Sequence, residues 1–482
     1  MMNRRALSVL AAVGLAVGLA PAASGQVTVT KLLLVGENAG GVGLATSIDN
    51  LAVNNSGHYL IECDTDNPNT NIDQVMLKNG ALYLQQGQAL TAPVGATISS
   101  FDSVNLSNTG HSGWNFFLAG NVTTSTDSGM FFDDRLIFQE STISTASGFS
   151  PNTPYIGFFE SRINDLDQVL VVASVDDPAI ATTVDRALVV LHYNATLGAY
   201  TETVLAKEGD TLPGMTGPIV DFGTGPHQFA FNNAGHALFI ADAASDAIYK
   251  NSTQLALVGG PSPIAGRNWA SLITGGLDIN NAGDTVFAGT LSGDTATDNI
   301  IIKNGAKFIQ EGDPAPGIPG GFTLTSFGTN RIVQISDAGD VLWYGDWNDP
   351  NTAIDTGLFL NNTLLVRKGD QVNGLTITAI ANGQDAYMMS DNGRYVIFEA
   401  TVSDGVTSRG GAFLIEIATA SCYPNCDAST TPPVLNVNDF VCFLNSFSAG
   451  QSYANCDGST IPPTLNVNDF TCFLNAFAAG CP

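Results

Sequence analysis

The chain reads as all-β: a seven-bladed β-propeller followed by a small disulfide-rich α-helical module. Three observations predict this. A short turn phrase recurs seven times between Asn54 and Gly393. Each recurrence is followed by strand-length alternating stretches that end in an aromatic or aliphatic residue. The last 61 residues carry one pattern twice, at an offset of 30, and hold six of the seven cysteines. The third recurrence of the turn phrase is degenerate, so six or eight blades stay open.

At the N-terminus, Arg4 and Arg5 precede an apolar run from Ala6 to Ala20, and small residues follow at Ala22, Ala23, Ser24 and Gly25. That is the layout of a secretory signal peptide over residues 1–25, with cleavage before Gln26. The competing reading, a membrane anchor, suits a longer run. No later stretch is long and apolar enough to span a bilayer, so a secreted or cell-surface chain without a transmembrane segment is expected.

Composition agrees with export. The chain has 17 Lys+Arg against 44 Asp+Glu, a net charge of −27, and loss of Arg4 and Arg5 takes it to −29. Such a surface repels nucleic acid and anionic membranes. A hydrophobic content of 44% supports a packed core rather than disorder. The 51 glycines and the low charged fraction of 13% suit a turn-rich β protein.

The repeat domain is read over residues 26–418. Its phrases end at Gly57, Gly110, Asp167, Gly235, Gly283, Gly339 and Gly393, spaced 48 to 68 residues apart. Each is a turn signal, because Asn, Asp and Gly accept the positive φ of tight turns. An apolar pair or triplet precedes it, as in Leu277-Asp278-Ile279, and a first long strand follows, as in Val341-Leu342-Trp343. A further strand comes next, such as Ile300-Ile301-Ile302, then one ending in Gly-Asp, such as Phe308 to Asp313. About four strands per unit is propeller grammar.

Ring closure is also legible. The seventh unit stops after Gly411–Ile417 and lacks one strand, while the expected mature N-terminus, Val27 to Glu37, resembles the missing one. Donating that strand to the last blade would close the ring and remove both sheet edges.

The repeat also filters catalytic candidates. His58, His111 and His236 follow the turn glycine directly, in a slot that holds Asp284, Asp340 or Arg394 elsewhere. A slot open to any polar residue reads as a solvent-facing strand start. His192 and His227 have no evident partners, and the recurrent Asp73, Asp127, Asp185, Asp246, Asp298 and Asp355 read as turn caps. Two acidic loops, Asp64–Asp73 and Asp346–Asp355, align in two units; they read as polar loops, with calcium the sharper alternative. Cys63 sits among hydrophobic residues and reads as a buried thiol. The chain has no Ser-His-Asp pattern, HExxH, phosphate loop or GxSxG element. No catalytic residue is therefore assigned.

The tail, residues 419–482, is the most specific segment. Six cysteines in a secreted segment of this size imply disulfides. The internal repeat favours Cys426–Cys442, Cys456–Cys472 and Cys422–Cys481, with cross-copy pairing as the alternative. Closing sixteen residues contributes about 3 kcal/mol in the chain-entropy model. Each copy also carries a run of oxygen-bearing side chains and then an amphipathic stretch: Phe440, Phe443, Leu444 and Phe447 in the first, Phe470, Phe473, Leu474 and Phe477 in the second. That is the layout of a calcium loop feeding a helix.

The tail resembles a dockerin, of the cysteine-bearing variety ending in Gly-Cys that is found on exported bacterial proteins. The resemblance covers about residues 422–482 and implies calcium as cofactor. Its ligands would be Asn425, Asp427, Ser429, Asn436 and Asp439 in the first loop. Asn455, Asp457, Ser459, Asn466 and Asp469 would serve the second. Three departures weaken the metal site: Asn replaces Asp at the loop start, Ser stands at the fifth position, and the loop is about three residues longer, with Pro432-Pro433 or Pro462-Pro463 inserted. A disulfide-held module that keeps the loop shape without metal is the alternative. A dockerin implies a cohesin-like or surface-sorting partner. The repeat domain is similar to an uncharacterised family of exported proteins bearing the Asn-x-x-Gly-x-x-x-Phe phrase, which implies no activity.

The reading that follows is a secreted or cell-surface, non-catalytic binding protein. Its propeller takes a carbohydrate or protein ligand and its tail provides attachment. The alternatives are an extracellular carbohydrate-active enzyme, a glycosidase or polysaccharide lyase, and a structural component of an extracellular matrix. The enzyme would need two carboxylates that break the repeat and face each other across the central channel.

Overall fold

The fold is that of a computed structural model. It describes residues 27–418 and 423–480, apart from 183, 195, 226, 273–274, 428, 430–433 and 460–461. The signal-peptide span, Cys422 and Cys481 lie outside the described residues. Val27–Ile417 form one compact unit and the C-terminal segment belongs to another.

The first unit is a seven-bladed propeller. Blade 5 shows the plan. A short inner strand, Leu277–Ile279, leads through the turn Asn280–Gly283 into a second strand, Thr285–Leu291. A third, Asn299–Lys303, and a fourth, Ala306–Gln310, complete the antiparallel sheet. The third and fourth strands meet at Asn304-Gly305, whose φ values of 51° and 76° make the tight turn that Asn-Gly favours. Inner strands of successive blades are neighbours around the ring, and Tyr387–Met389 of blade 7 lies beside Leu51–Val53 of blade 1.

The alternation in each strand serves two cores at once. Phe287 packs with Ile300 and Ile302 toward blade 4, while Val286, Ala288 and Ile301 pack toward blade 6. Seven such clusters fill the seven spaces between blades. Both faces of a blade are therefore buried, so its central strands read as near-continuous apolar runs. Stacked rings strengthen these layers, as at Trp343 and Phe359, whose centroids lie 4.4 Å apart. Cys63 lies fully buried in one cluster, and that burial pushes its thiol up to about 12.

The ring closes as the sequence expects. The N-terminal strand Val27–Leu34 pairs antiparallel with Ser408–Ile417, from Val27 opposite Ile417 to Leu34 opposite Gly411. The two ends of the propeller unit thus share the last blade, and among the described residues no blade is left with a strand missing.

Blade 3 departs from the plan. Its third and fourth strands, Asp185–Asn194 and Ala199–Lys207, are 10 and 9 residues long, against 5 and 5 in blade 5. Its second strand starts at Gln168 opposite His192, so Tyr193 and Asn194 overhang it.

In the tail, two helices, α1 (Val437–Ser448) and α2 (Val467–Ala479), follow the two loops. Asn436 and Asp439 form a capping box on α1, and Asn466 and Asp469 form one on α2. Phe443 and Phe473 stack at 4.1 Å between the helices. Disulfides join Cys426 to Cys442 and Cys456 to Cys472.

Candidate functional site

The turn phrase builds a belt around one end of the central channel. Its second residue donates its backbone N–H to the side chain of the second residue in the next blade. Asn55 N–H reaches Asn108 Oδ1 at 2.8 Å, Asn108 N–H reaches Asp165 Oδ1 at 2.7 Å, and Asp165 N–H reaches Asn233 Oδ1 at 2.8 Å. Asn233 N–H then reaches Asn281 Oδ1 at 2.9 Å, and Asn281 N–H reaches Asp337 Oδ1 at 3.0 Å. At the sixth joint Asp337 N–H turns to the Asp391 carbonyl at 2.6 Å. At the seventh joint the donor is the third residue of the phrase, and Asn392 N–H closes the circle on Asn55 Oδ1 at 2.7 Å.

The first residue of the phrase has two tasks. Asn280 Oδ1 accepts the Asp284 N–H within its own turn at 2.8 Å, while its Nδ2 donates to the Ser336 carbonyl of the next blade, also at 2.8 Å. Asn54, Asn164 and Asn232 reach the next blade in the same way. Asn is suited to this slot because one amide both accepts and donates.

Inside the belt lies an axial cavity of about 120 Å³. Asn108, Asp165, Asn233, Asn281, Asp337 and Asp391 line its belt end, and Arg162, His227, Asp278, Gln334 and Met388 line it deeper in. At about 10–15 Å³ per water-sized site, it has room for water or a small polar group but not for a sugar chain.

A buried ionisable cluster sits at the deeper level. Glu160 of blade 3 is 6% exposed and accepts from Ser103 Oγ at 3.0 Å. Its Oε2 lies 3.6 Å from Arg162 Nη1. Asp385 of blade 7 has its Oδ1 3.9 Å from His227 Nε2. Burial, with the Asp385 charge close by, holds Glu160 up at about 8, although Arg162 opposes this. Burial also holds Asp385 at about 6 and Asp278 at about 7. His227 is pushed well below its ordinary value by burial and by Arg162, so it is neutral at pH 7. Among the described residues, Arg162 Nη2 and His227 Nε2 have no hydrogen-bond partner.

Backbone strain has a structural account here. His227, Arg331 and Asp385 each stand two residues before an inner strand, with φ of 62°, 46° and 55°. Blade 5 has Gly275 in that slot. The bend delivers inter-blade hydrogen bonds, with Leu277 N–H to the His227 carbonyl at 2.8 Å and Gly276 N–H to the Arg331 carbonyl at 3.2 Å. The left-handed residues are thus part of the repeat.

Sequence reasoning passed over Glu160, Arg162 and Asp385, and left His227 without a partner. The available signal was that Glu160 and Arg162 fall in the unit whose pattern is most degraded. Of the other histidines, His58 is exposed, and His111 Nδ1 lies 2.7 Å from Asp133 Oδ2. The two acidic loops are successions of local turns: Asn69 N–H bonds to Asn67 Oδ1, and Asn351 N–H to Asp349 Oδ1.

In the tail, the residues expected to ligate calcium gather within each loop but are engaged by the backbone. Asn425 Oδ1 accepts the Ser429 N–H at 3.1 Å and its Nδ2 donates to the Ser429 carbonyl at 2.9 Å. Asp427 Oδ1 also accepts from Ser429 N–H, and Ser429 Oγ donates to the Val434 carbonyl. Asp439 accepts from Asp427 N–H at 3.2 Å and from Asn436 N–H at 2.8 Å. The second loop repeats this through Asn455, Asp457, Ser459, Asn466 and Asp469. There Asn455 Oδ1 is buried without a hydrogen-bond partner among the described residues. Among the described residues no three His, Cys, Asp or Glu side chains form a metal cluster, since each loop brings two carboxylates and otherwise amide and hydroxyl oxygens. Carboxylate oxygens with one hydrogen bond keep a lone pair, and with the free Asn455 oxygen the donor set fits a weakly held calcium.

Fold and site together define a closed seven-bladed propeller with an amide-carboxylate belt and a disulfide-stapled helical tail. The chain belongs to a family of unknown function, DUF7453, whose model matches residues 18–260 and 250–414. No curated protein matches it. Among solved structures, it is similar to a protein of unknown function from Dyadobacter fermentans DSM 18053 at 10% identity, covering 81% of this chain and 99% of that one, with a TM-score of 0.30. A polysaccharide lyase, Uly1, matches at 8% identity over 75% of this chain and 85% of its own, with a TM-score of 0.33. A Thermus thermophilus protein described as a putative oxidoreductase (glucose dehydrogenase) matches at 12% identity over 66% and 94%, with a TM-score of 0.28. Likeness at this level carries neither fold nor function across.

Proposed function

We propose that the protein is an exported, non-catalytic binding protein whose propeller presents a ligand face and whose dockerin-like tail attaches it to a cohesin-like surface partner. One observation carries the reading. The groups around the open end of the channel are amides and carboxylates already committed to the belt, while Glu160 and Asp385 do not line the axial cavity. The belt face offers fixed hydrogen-bonding groups rather than a reactive one.

Export is supported by the tail disulfides, which persist in oxidising compartments. No helix among the described residues is long and apolar enough to cross a membrane. In the tail, calcium would be held by Asn425, Asp427, Ser429, Asn436 and Asp439, and by Asn455, Asp457, Ser459, Asn466 and Asp469. Its contribution would be to brace each loop against its helix.

The experiment is capture of the full chain on an array of glycans and of cohesin-type modules. Retention on at least one ligand of each kind is expected, and retention on none would overturn the reading.

A second reading, an extracellular carbohydrate-active enzyme, draws on Glu160 and Asp385. They lie on blades 3 and 7, both are buried carboxylates, and the Asp385 charge helps to raise Glu160. Glu160 would be the acid and Asp385 the base. Polysaccharide breakdown by the wild type that is lost in both Glu160→Gln and Asp385→Asn would favour it.

A further inference from the structure

The binding face can be located more closely from the one blade that departs from the repeat. The connections between third and fourth strands open on the same face as the belt, as Lys78 and Lys250 show. Each stands at the end of a third strand and donates to a turn carbonyl of the next blade, Gly110 and Gly283 respectively. In blades 1 and 5 that connection is two residues, Asn79-Gly80 and Asn304-Gly305. In blade 3 the two strands run on past the end of the second strand. The two overhanging residues add roughly 7 Å of height before the connecting loop begins.

The raised hairpin carries an aromatic pair. Tyr193 and Tyr200 face each other across its strands with centroids 5.3 Å apart, and Tyr193 is 38% exposed. Blade 2 supplies the adjoining corner. His111 lies over Phe132 at 4.9 Å, with its Nδ1 2.7 Å from Asp133 Oδ2. Tyr200 lies 6.5 Å from Phe138 of blade 2, Tyr200 and Phe132 pack against the same core cluster, and Arg135 and Asp133 both act on the Tyr200 hydroxyl electrostatically.

We infer that the Tyr193–Tyr200 hairpin and the His111–Phe132 corner form a platform for a neutral, hydroxyl-rich polysaccharide. This rests on the binding reading above. Tyrosine offers a ring face for the C–H side of a sugar and a polar tip for its hydroxyls. The His111 imidazole and the guanidinium of Arg135 add directional partners beside the rings, while Asp133, which accepts from Ser112 and Tyr83 and holds His111 Nδ1, fixes the corner. A protein partner would call for a larger apolar centre than these interrupted rings supply. Charge narrows the class further. The same face carries Asp165, Asp337 and Asp391 on the belt, and its Lys78, Lys250 and Lys303 are turned onto turn carbonyls. With a net charge of −27 on the chain, an anionic polymer or a second copy of this face would be repelled.

The test is affinity electrophoresis of the full chain in native gels containing hydroxyethylcellulose, xyloglucan or galactomannan, with alginate as the anionic comparison. Two variants accompany the wild type: Tyr193→Ala, and a shortened hairpin in which residues 193–200 are replaced by Asn-Gly. Circular dichroism and melting confirm that each is folded. Retardation of the wild type by at least one neutral polymer, at least tenfold weaker in both folded variants, is expected. Retardation unchanged in Tyr193→Ala and in the shortened chain would overturn the platform while leaving the binding reading standing. Retardation by alginate alone would overturn the neutral class. Capture by a non-glycan ligand with no retardation in any gel would overturn the platform and keep the binding reading. Absence of any capture on gels and arrays would overturn both.

Discussion

Asn392 and Asn55, 337 residues apart in sequence, hold each other by two hydrogen bonds. The Asn392 N–H reaches Asn55 Oδ1 at 2.7 Å, and Asn392 Nδ2 reaches the Asn55 carbonyl at 3.0 Å. This joint links the last blade to the first at the belt, while the N-terminal strand closes the last blade's own sheet. The ring therefore has two independent fasteners, one of side-chain amides and one of backbone.

The belt positions should differ in their sensitivity. Asn55→Ala leaves an exposed N–H that water can satisfy, so a loss of about 1 kcal/mol or less is expected. Asn280 is 4% exposed and bonds both its own turn and Ser336. Asn280→Ala should cost about 1–3 kcal/mol, because buried partners lose their bonds. Denaturant melts of the two variants check the order; equal losses would remove the distinction between the two phrase positions.

The tail disulfides should be separable. Peptide mapping without reduction is expected to give Cys426–Cys442 and Cys456–Cys472 as distinct linked pairs. Each closes a sequence separation of 16, worth about 3 kcal/mol in the chain-entropy model. Cys442→Ser should make the tail of the full chain cleavable by protease at concentrations that spare the wild type. Equal resistance in the two proteins would mean that aromatic packing suffices.

The buried carboxylates predict a pH effect with a definite sign. Glu160 titrates at about 8 when folded against 4.5 for an unperturbed glutamate, so the folded state binds more protons between those values. Stability from this group is complete below about 4.5 and is lost as pH rises through about 8. Glu160→Gln removes the titration. The melting temperature of the variant should fall less than that of the wild type between pH 5 and pH 8.5. Parallel curves would show that Glu160 is ionised throughout.

Calcium should matter modestly. With two carboxylates per loop, affinity of about 10⁻³ M is expected, which at ten times that concentration contributes roughly 1.4 kcal/mol. Adding calcium to the full chain should raise the melting of its tail, and Asp439→Asn with Asp469→Asn should abolish the rise. Identical melting in calcium and in chelator would leave the disulfides and capping boxes as the tail's supports.

The sequence by itself determined the architecture. Seven turn phrases, a truncated last unit and a spare first strand point to a closed propeller, because each signal is local and the ring repeats it; the count of seven was settled only by the fold, since the third phrase is degenerate. The tail's repeat similarly favoured the two described disulfides, since a 30-residue offset carries every partner with it. What the phrase does was not legible. Asn280 reads as a turn residue, and only the ring brings the Ser336 carbonyl to its free amide. The cluster of Glu160, Arg162, His227 and Asp385 was equally invisible, because those residues come from blades 3, 4 and 7 and have no common spacing. Blade 3 shows the same limit from the other side. Its degraded phrase reads as a weak repeat, yet in the fold it marks the blade whose hairpin stands above the others. Local chemistry sets turns and strands. Charges and amides from distant blades acquire partners only when the ring closes around a shared axis.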